Sequence, residues 1–365
     1  MKKLLPIAFA LAVLGGVLLA VEALQPYQGY PEKVIVTIPP GSGAEAAARA
    51  LASQRVLRYR APFLALYALG RPKHRTLKAG EYLFNRPLSP RDVYWKIVRG
   101  DIYYLQVVIP EGSDRFDMAR LLQERLGLDP RAFLRATLQT ALIRDLDPAA
   151  PTLEGYLFPD TYRFPAGVTA AAVVENMLAR FREVFRSRLQ AELNGRSLHD
   201  VVTLASLVEK ETPNAAERRE IAGVFLRRVE RGMALDCDPT VAYAARLDSQ
   251  GGANPLPRRP SITLAVLDSP SPYNTYRTPG LPPGPICSPG AASMEAALHP
   301  ASSDALYFVS NLHGGHVFAK TLDEHNRNVA RYRRQIAARD TIQTVKDPAP
   351  AAHRRRRHAR TRSRH

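Results

Sequence analysis

Cysteine is nearly absent: Cys237 and Cys287 are the only two in 365 residues. A single possible bridge excludes a disulfide-built scaffold. Neither cysteine stands at zinc-ligand spacing from His313 or His316, which argues against a zinc site. No Gly-x-Ser-x-Gly elbow and no Ser-x-x-Lys occurs, so a serine acyl transferase would lack its nucleophile signature. Acidic residues are scarce as well, 34 against 51 Lys and Arg, for a formal net charge of +17. That imbalance is concentrated at the end. The last thirteen residues, HRRRRHARTRSRH, hold the seven arginines Arg354, Arg355, Arg356, Arg357, Arg360, Arg362 and Arg364. They include no apolar side chain larger than that of Ala359. Residues 346–365 therefore cannot bury a core, and a disordered, polyanion-binding tail is expected.

Charge is missing altogether from Leu4 to Val21, between Lys2-Lys3 and Glu22. The run is just long enough to cross a bilayer, with the lysines on the cytoplasmic side. We expect residues 1–3 in the cytoplasm, an uncleaved anchor over 4–24, a linker over 25–32, and the remainder exported. A cleaved signal peptide, with Val21-Glu22-Ala23 as a poor cleavage site, is the alternative. Export removes nucleic acid from the expected partners. A cationic nucleic-acid binder would need the tail in the cytoplasm.

What is present first is an internal echo. VTIPPGSGAEAAARAL (Val36–Leu51) and VVIPEGSDRFDMARLL (Val107–Leu122) share a strand, a Pro-x-Gly-Ser turn and an amphipathic helix. Ser42 and Ser113 read as N-caps, and Glu45 completes a capping box with Ser42. Between the copies, LKAGEYLFNRPLSPRDVYWKIVRGD reads as strand, turn and helix, with Ser89 at the N-cap, Pro90 at N1 and Gly100 past the end. A small α+β module packed on Leu51, Phe63, Tyr67, Trp95 and Ile97 follows. From about Asp129 the chain reads as mainly helical, with Pro-rich loops.

The chemistry concentrates in TLASLVEKETPNAAERREIAGVFLRRVERG (Thr203–Gly232). Ser197 and Asp200 form a capping box, so a helix should run from Leu198 to about Glu211, where Thr212-Pro213 stops it. Asn214 with Glu217 should cap the next helix, ending at Gly232. Glu209 then stands in the last turn of the first helix, with small Val202, Ala205 and Ser206 on its face leaving room for a ligand. A helix C-terminus and apolar neighbours both favour a protonated carboxyl, which suits a general acid. A solvated helix end is the plain alternative.

Four loops supply polar and aromatic groups suited to a sugar's apolar faces and hydroxyl edges. LEGYLFPDTYRFP offers Glu154, and LDCDPTVAYA offers Asp238 and Thr240 before a short helix. SPYNTYRTPGLPPGPICSPG is an ordered loop presenting Asn274 and Tyr276. YFVSNLHGGHVFAKTLDEHN reads as a hairpin turned at Gly314-Gly315, carrying His316, and then a helix with Asn326.

ASLVEKET, ERREIAGVFLRRVERGMALDCDPTVAY, YNTYRTPGLPPGPICSPG and the GGHVFAKTLDEHN segment, in this order, resemble the MltG-type (YceG-like) endolytic murein transglycosylases. EGYLFPDTYRF looks like an upstream motif of the same family, and the resemblance runs from Val34 to about Tyr332. It implies an α+β fold with an N-terminal transmembrane helix, a LysM-like α+β module over 33–110, and a mainly helical α+β catalytic domain over 111–345 with ordered Pro/Gly-rich loops. It also implies lyase activity: non-hydrolytic cleavage of the MurNAc–GlcNAc β-1,4 bond in nascent glycan strands, leaving 1,6-anhydro ends. Glu209 matches the family's catalytic acid/base. Glu154, Asp238, Thr240, Asn274, Tyr276, His316 and Asn326 are expected to position sugar or orient Glu209. No metal or cofactor is required. The expected partners are peptidoglycan, the inner membrane, peptidoglycan synthases and, through the tail, anionic envelope polymers or lipids, with the catalytic domain on the periplasmic side. Cysteine is unexpected in these motifs, and a Cys237–Cys287 bridge is a hypothesis. A non-catalytic LysM-like glycan-binding scaffold is the rival reading.

Overall fold

The computed structural model describes residues 4–70, 76–249 and 262–346. Both Lys2-Lys3 and the Arg-rich tail lie outside the described residues. The chain divides into two compact units, Met1–Val184 and Phe185–His365.

The first unit opens with α1 (Leu4–Leu24), whose Ile7, Phe9, Leu11, Leu14, Val17 and Leu18 are exposed. Among the described residues no helix is long and apolar enough to cross a membrane; within α1 the side chains of Leu4 to Pro6, Ala8 and Ala12 lie outside the description. Residues 25–32, expected as a linker, run along the module. Tyr27 pairs with Leu88, Gly29 N–H donates to the Arg55 carbonyl, and the Tyr30 hydroxyl donates to the Arg86 carbonyl.

Next come β1 (Val34–Ile38), α2 (Ala44–Ser53), α3 (Arg60–Gly70), β2 (Gly80–Phe84) and α4 (Pro90–Arg99). β1 and β2 form a two-stranded antiparallel sheet. Its core holds Leu51, Phe63, Tyr82, Tyr94 and Ile97, with Tyr67 and Trp95 packed at the edge. α4 has the predicted ends: Ser89 caps it in a full capping box with Asp92, Pro90 is in the first turn, and Gly100 closes it at φ +77°.

The two other predicted caps of this unit, Ser42 and Ser113, are displaced by one residue. Gly43, not Ser42, starts α2, and Glu45 pairs with Arg60 instead of closing a box. After β3 (Tyr104–Val108), Asp114 and not Ser113 caps α5 (Arg115–Leu126), accepting from two backbone N–H groups, while the Ser113 hydroxyl donates to the Pro110 carbonyl. Aspartate reaches both donors, and so displaces the serine beside it. α6 (Pro130–Ala136), β4 (Thr161–Pro165) and α7 (Ala170–Val184) complete the unit. β3 pairs with β4, so the second copy of the echo belongs to a sheet of its own.

The second unit begins with a π-helical turn, Phe185–Leu189, and reaches α8 (Leu198–Glu211). α9 (Arg218–Glu230), α10 (Asp238–Asp248), α11 (Leu264–Leu267), α12 (Ala291–Leu298), a hairpin of β5 (Tyr307–Ser310) and β6 (His316–Ala319), and α13 (Leu322–Lys346) follow. α8 is the central element: nine of its residues are buried, and α9, α10 and α12 pack on it. The fold is mixed α+β and mainly helical.

Candidate active site

α8 begins at the predicted cap, with the Ser197 side chain accepting from Asp200 N–H, and ends where Thr212 turns extended before Pro213. Glu209 is in its last turn, as expected. Its Oε2 accepts from the Gly290 N–H at 3.0 Å, and its Oε1 lies 3.6 Å from Nη2 of Arg218. The side chain is only 7% exposed. Gly290 is the N-cap of α12, so the carboxyl faces the positive end of that helix. Besides the helix terminus and apolar neighbours expected from the sequence, a guanidinium and a backbone N–H donor stand beside the carboxyl.

The small face of α8 does not hold open a groove. Ala205 and Ser206 are fully buried, and Ile286 and Cys287 of the same chain bond directly to Ser206. Ser206 Oγ donates to the Thr203 carbonyl and accepts from Ile286 N–H, and the Cys287 thiol donates to the Ser206 carbonyl. The space is filled by the strap that brings Gly290 to Glu209.

Two residues on, Glu211 points elsewhere, since successive helical residues rotate by about 100°. The Cys237 thiol donates to its Oε1 at 3.1 Å. Burial pushes the Glu211 carboxyl up and nearby Asp238 adds to this, against the Cys237 hydrogen bond and the charge of His316. Burial, then Glu211, raise the Cys237 thiol well above its ordinary value. Cys237 and Cys287 are both buried and neither is in a disulfide; each thiol donates to a different acceptor on α8, so the bridge hypothesis fails.

Two expected residues, Asp238 and His316, lie within electrostatic range of Glu211. Tyr276 donates its hydroxyl to Asp238 Oδ1 at 2.6 Å. Burial, with that hydrogen bond second, raises the Tyr276 phenol. His316 donates its backbone N–H to Glu217 Oε1, and its Nδ1 lies 2.8 Å from Glu217 Oε2. Burial alone would raise Glu217, but the His316 contacts together hold it below the ordinary carboxylate value. Gly315 makes room for this pairing, because a Cβ there would collide with the Glu217 carboxylate. Glu217 was expected to serve as a cap; Asn214 caps that turn alone, through Ala216 N–H.

Other expected residues are engaged in scaffolding. Thr240, fully buried, bonds the Cys237 carbonyl and the Thr275 hydroxyl. Asn274 staples its own loop through the Leu267 and Ser269 carbonyls and Tyr276 N–H. Glu154 belongs to the first unit, where it accepts from Arg115 N–H at the start of α5. Asn326 is on an exposed side of α13. Among the described residues no group of three or more His, Cys, Asp or Glu is arranged to hold a metal ion. Sequence reasoning missed Arg218, Gly290, Glu211 and Glu217; the charged string after Thr212-Pro213 was the one signal for Arg218 and Glu217.

A fold with a buried carboxyl at the end of a central helix, strapped by a Pro/Gly-rich loop, defines a class that comparison makes specific. The model of the YceG-like family matches residues 36–331, and the chain belongs to that family. It is 31% identical over 318 residues to the endolytic murein transglycosylase of Bacillus subtilis (strain 168), covering 82% of this chain and 84% of that one. It is 29% identical over 347 residues to the endolytic murein transglycosylase of Streptococcus pneumoniae (strain R6), covering 85% of this chain and 60% of that one. The crystal structure of a YceG-like protein from Listeria monocytogenes matches at TM-score 0.54 and 32% identity, covering 81% of this chain and 98% of that one.

Proposed function

We propose that the protein is an endolytic lytic transglycosylase of peptidoglycan, held at the membrane by α1, with Glu209 as acid and then base. The observation that carries this reading is the setting of Glu209, one buried carboxyl between the Gly290 N–H and Arg218. Protonated Glu209 gives its proton to the glycosidic oxygen as the bond to muramoyl C1 breaks. The muramoyl C6 hydroxyl then attacks C1 and returns a proton to the Glu209 carboxylate, closing the 1,6-anhydro ring. One carboxyl suffices because the nucleophile belongs to the substrate, whereas hydrolysis needs a second carboxylate to activate water or trap the sugar. Arg218 and the Gly290 N–H lie where they stabilise the carboxylate between the two proton transfers.

In this reading the Asp238–Tyr276 and Glu217–His316 pairs hold the sugar, while Thr240 and Asn274 fix the loops that carry them. Glu154 and Asn326 are further binding candidates. The domain assignment is a LysM-like module over 33–110 and a catalytic domain over 111–345, with nascent strands supplied by nearby synthases. α1 has 21 residues, about 30 Å of helix, which matches the apolar thickness of a bilayer. Its exposed apolar side chains support burial in lipid, with the catalytic unit outside the cytoplasm.

The test is mass spectrometry of murein digested by a chain starting at Gln25, wild type beside Glu209→Gln. Anhydro-muramoyl ends are expected from wild type, with the variant slower by about a hundredfold or more. Reducing ends would mean hydrolysis. Intact murein from both proteins would leave the glycan-binding scaffold.

A further inference from the structure

A cavity of about 620 Å³ lies in the first unit between the end of β2, the following loop and α4. Arg86, Lys96 and Arg99 line it, with Asn85, Asp92 and Asp101. The two carboxylates are already engaged. Asp92 closes the capping box with Ser89, and Asp101 accepts from Arg99 Nε and Nη2 at 3.3 and 3.1 Å. Arg86 and Lys96 make no ion pair among the described residues. Lys96 is half-buried, and its ammonium is held below its ordinary value, by burial first and by Arg86 and Arg99, with Asp101 opposing. Three cations thus converge on a polar cavity whose own acids do not balance them. Such an arrangement is relieved by an anion with several acceptor oxygens, which guanidinium groups bind bidentately.

The place of the cavity narrows the choice. Leu88, in its wall, pairs with Tyr27 through backbone hydrogen bonds of 3.1 and 3.3 Å. Tyr27 is three residues beyond Leu24, the last residue of α1, and three residues reach at most about 10 Å. α1 also packs against α4. With α1 in a bilayer, the cavity stands at the polar layer, which is on the order of 5 to 8 Å deep on each side.

We propose that this cavity binds a phosphoryl group, and that its source is the headgroup of an anionic membrane phospholipid. The assignment to a headgroup rests on the anchor reading of α1; the affinity for phosphoryl oxygen does not.

Calorimetric titration of the full chain in a neutral, phosphate-free detergent tests this. The probes are pyrophosphate, mixed micelles containing phosphatidylglycerol, and mixed micelles containing diacylglycerol, which lacks the phosphoryl group. Saturable binding is expected for the first two and none for the third. Arg86→Gln with Lys96→Gln should weaken both by about tenfold or more, and Arg86→Gln alone by less. Arg91→Gln, an exposed change on the same helix outside the cavity, should leave both unchanged. Absence of saturation overturns the site, and equal weakening by Arg91→Gln reduces it to diffuse charge. Pyrophosphate binding without phosphatidylglycerol binding overturns the headgroup source. Murein cleavage in detergent by the double variant should match wild type, and Glu209→Gln should titrate normally, so this proposal and the glycan reading fail separately.

Discussion

At the scale of single residues, Glu211 carries the conflict between burial and charge. Its carboxyl is raised by burial and Asp238 beyond what Cys237 and His316 offset. An acid raised by folding binds its proton more tightly in the native state, so its ionisation costs stability as pH climbs above the ordinary carboxylate range. Glu211→Gln keeps an acceptor for the Cys237 thiol and removes the charge. We expect a higher melting temperature than wild type at about pH 8, with the gap closing towards about pH 4. Thermal melts across that range decide it, and a gap independent of pH would sink the idea. Neither the buried setting of Glu211 nor the Gly290 partner of Glu209 was legible beforehand. The Glu209 position follows from a cap, a proline and a helical repeat, all local, whereas Gly290 meets it from 81 residues away. Loop closure over that distance leaves no periodic trace in the sequence.

At the scale of elements, the legible helices were those whose ends carry unambiguous chemistry. Ser89, Pro90 and Gly100 fixed α4, and Ser197 with Pro213 fixed α8. Where serine stood beside a stronger or freer neighbour, as at Ser42-Gly43 and Ser113-Asp114, the start moved by one residue. Ser89→Ala should therefore cost about 1 kcal/mol in denaturant unfolding. Ser113→Ala, which leaves the Asp114 cap intact, should cost less. The strap against α8 makes a sharper test. Ser206→Ala strips the buried Ile286 N–H of its acceptor, which costs about 1 to 3 kcal/mol. It should also loosen the loop that delivers the Gly290 N–H, so cleavage should fall by more than the folded fraction does. Unchanged cleavage per folded molecule would separate the strap from Glu209.

At the scale of the whole molecule, the sequence suggested a boundary between anchor and module at residues 25–32, since a Pro- and Tyr-containing stretch without periodicity looks like a tether. Its role becomes visible only through contacts with residues far along the chain. The Tyr30 ring is buried and its hydroxyl reaches Arg86, Tyr27 pairs with Leu88, and Gly29 bonds Arg55. A chain starting at Val34 forfeits all of these. Burial of one aromatic ring together with its hydrogen bond is worth about 2 to 4 kcal/mol, a large share of a small module's stability. A chain starting at Gln25 should then melt several degrees above one starting at Val34, with the difference confined to the first unit's transition. Coincident melts would show that the segment rests on the module without supporting it. The same pair of chains tests the proposed anchor: with α1 in lipid the full chain should sediment with membranes, and both shortened chains, which lack α1, should not. Retention of the chain starting at Gln25 but not of the chain starting at Val34 would move the membrane contact from α1 to the segment beside the phosphoryl cavity.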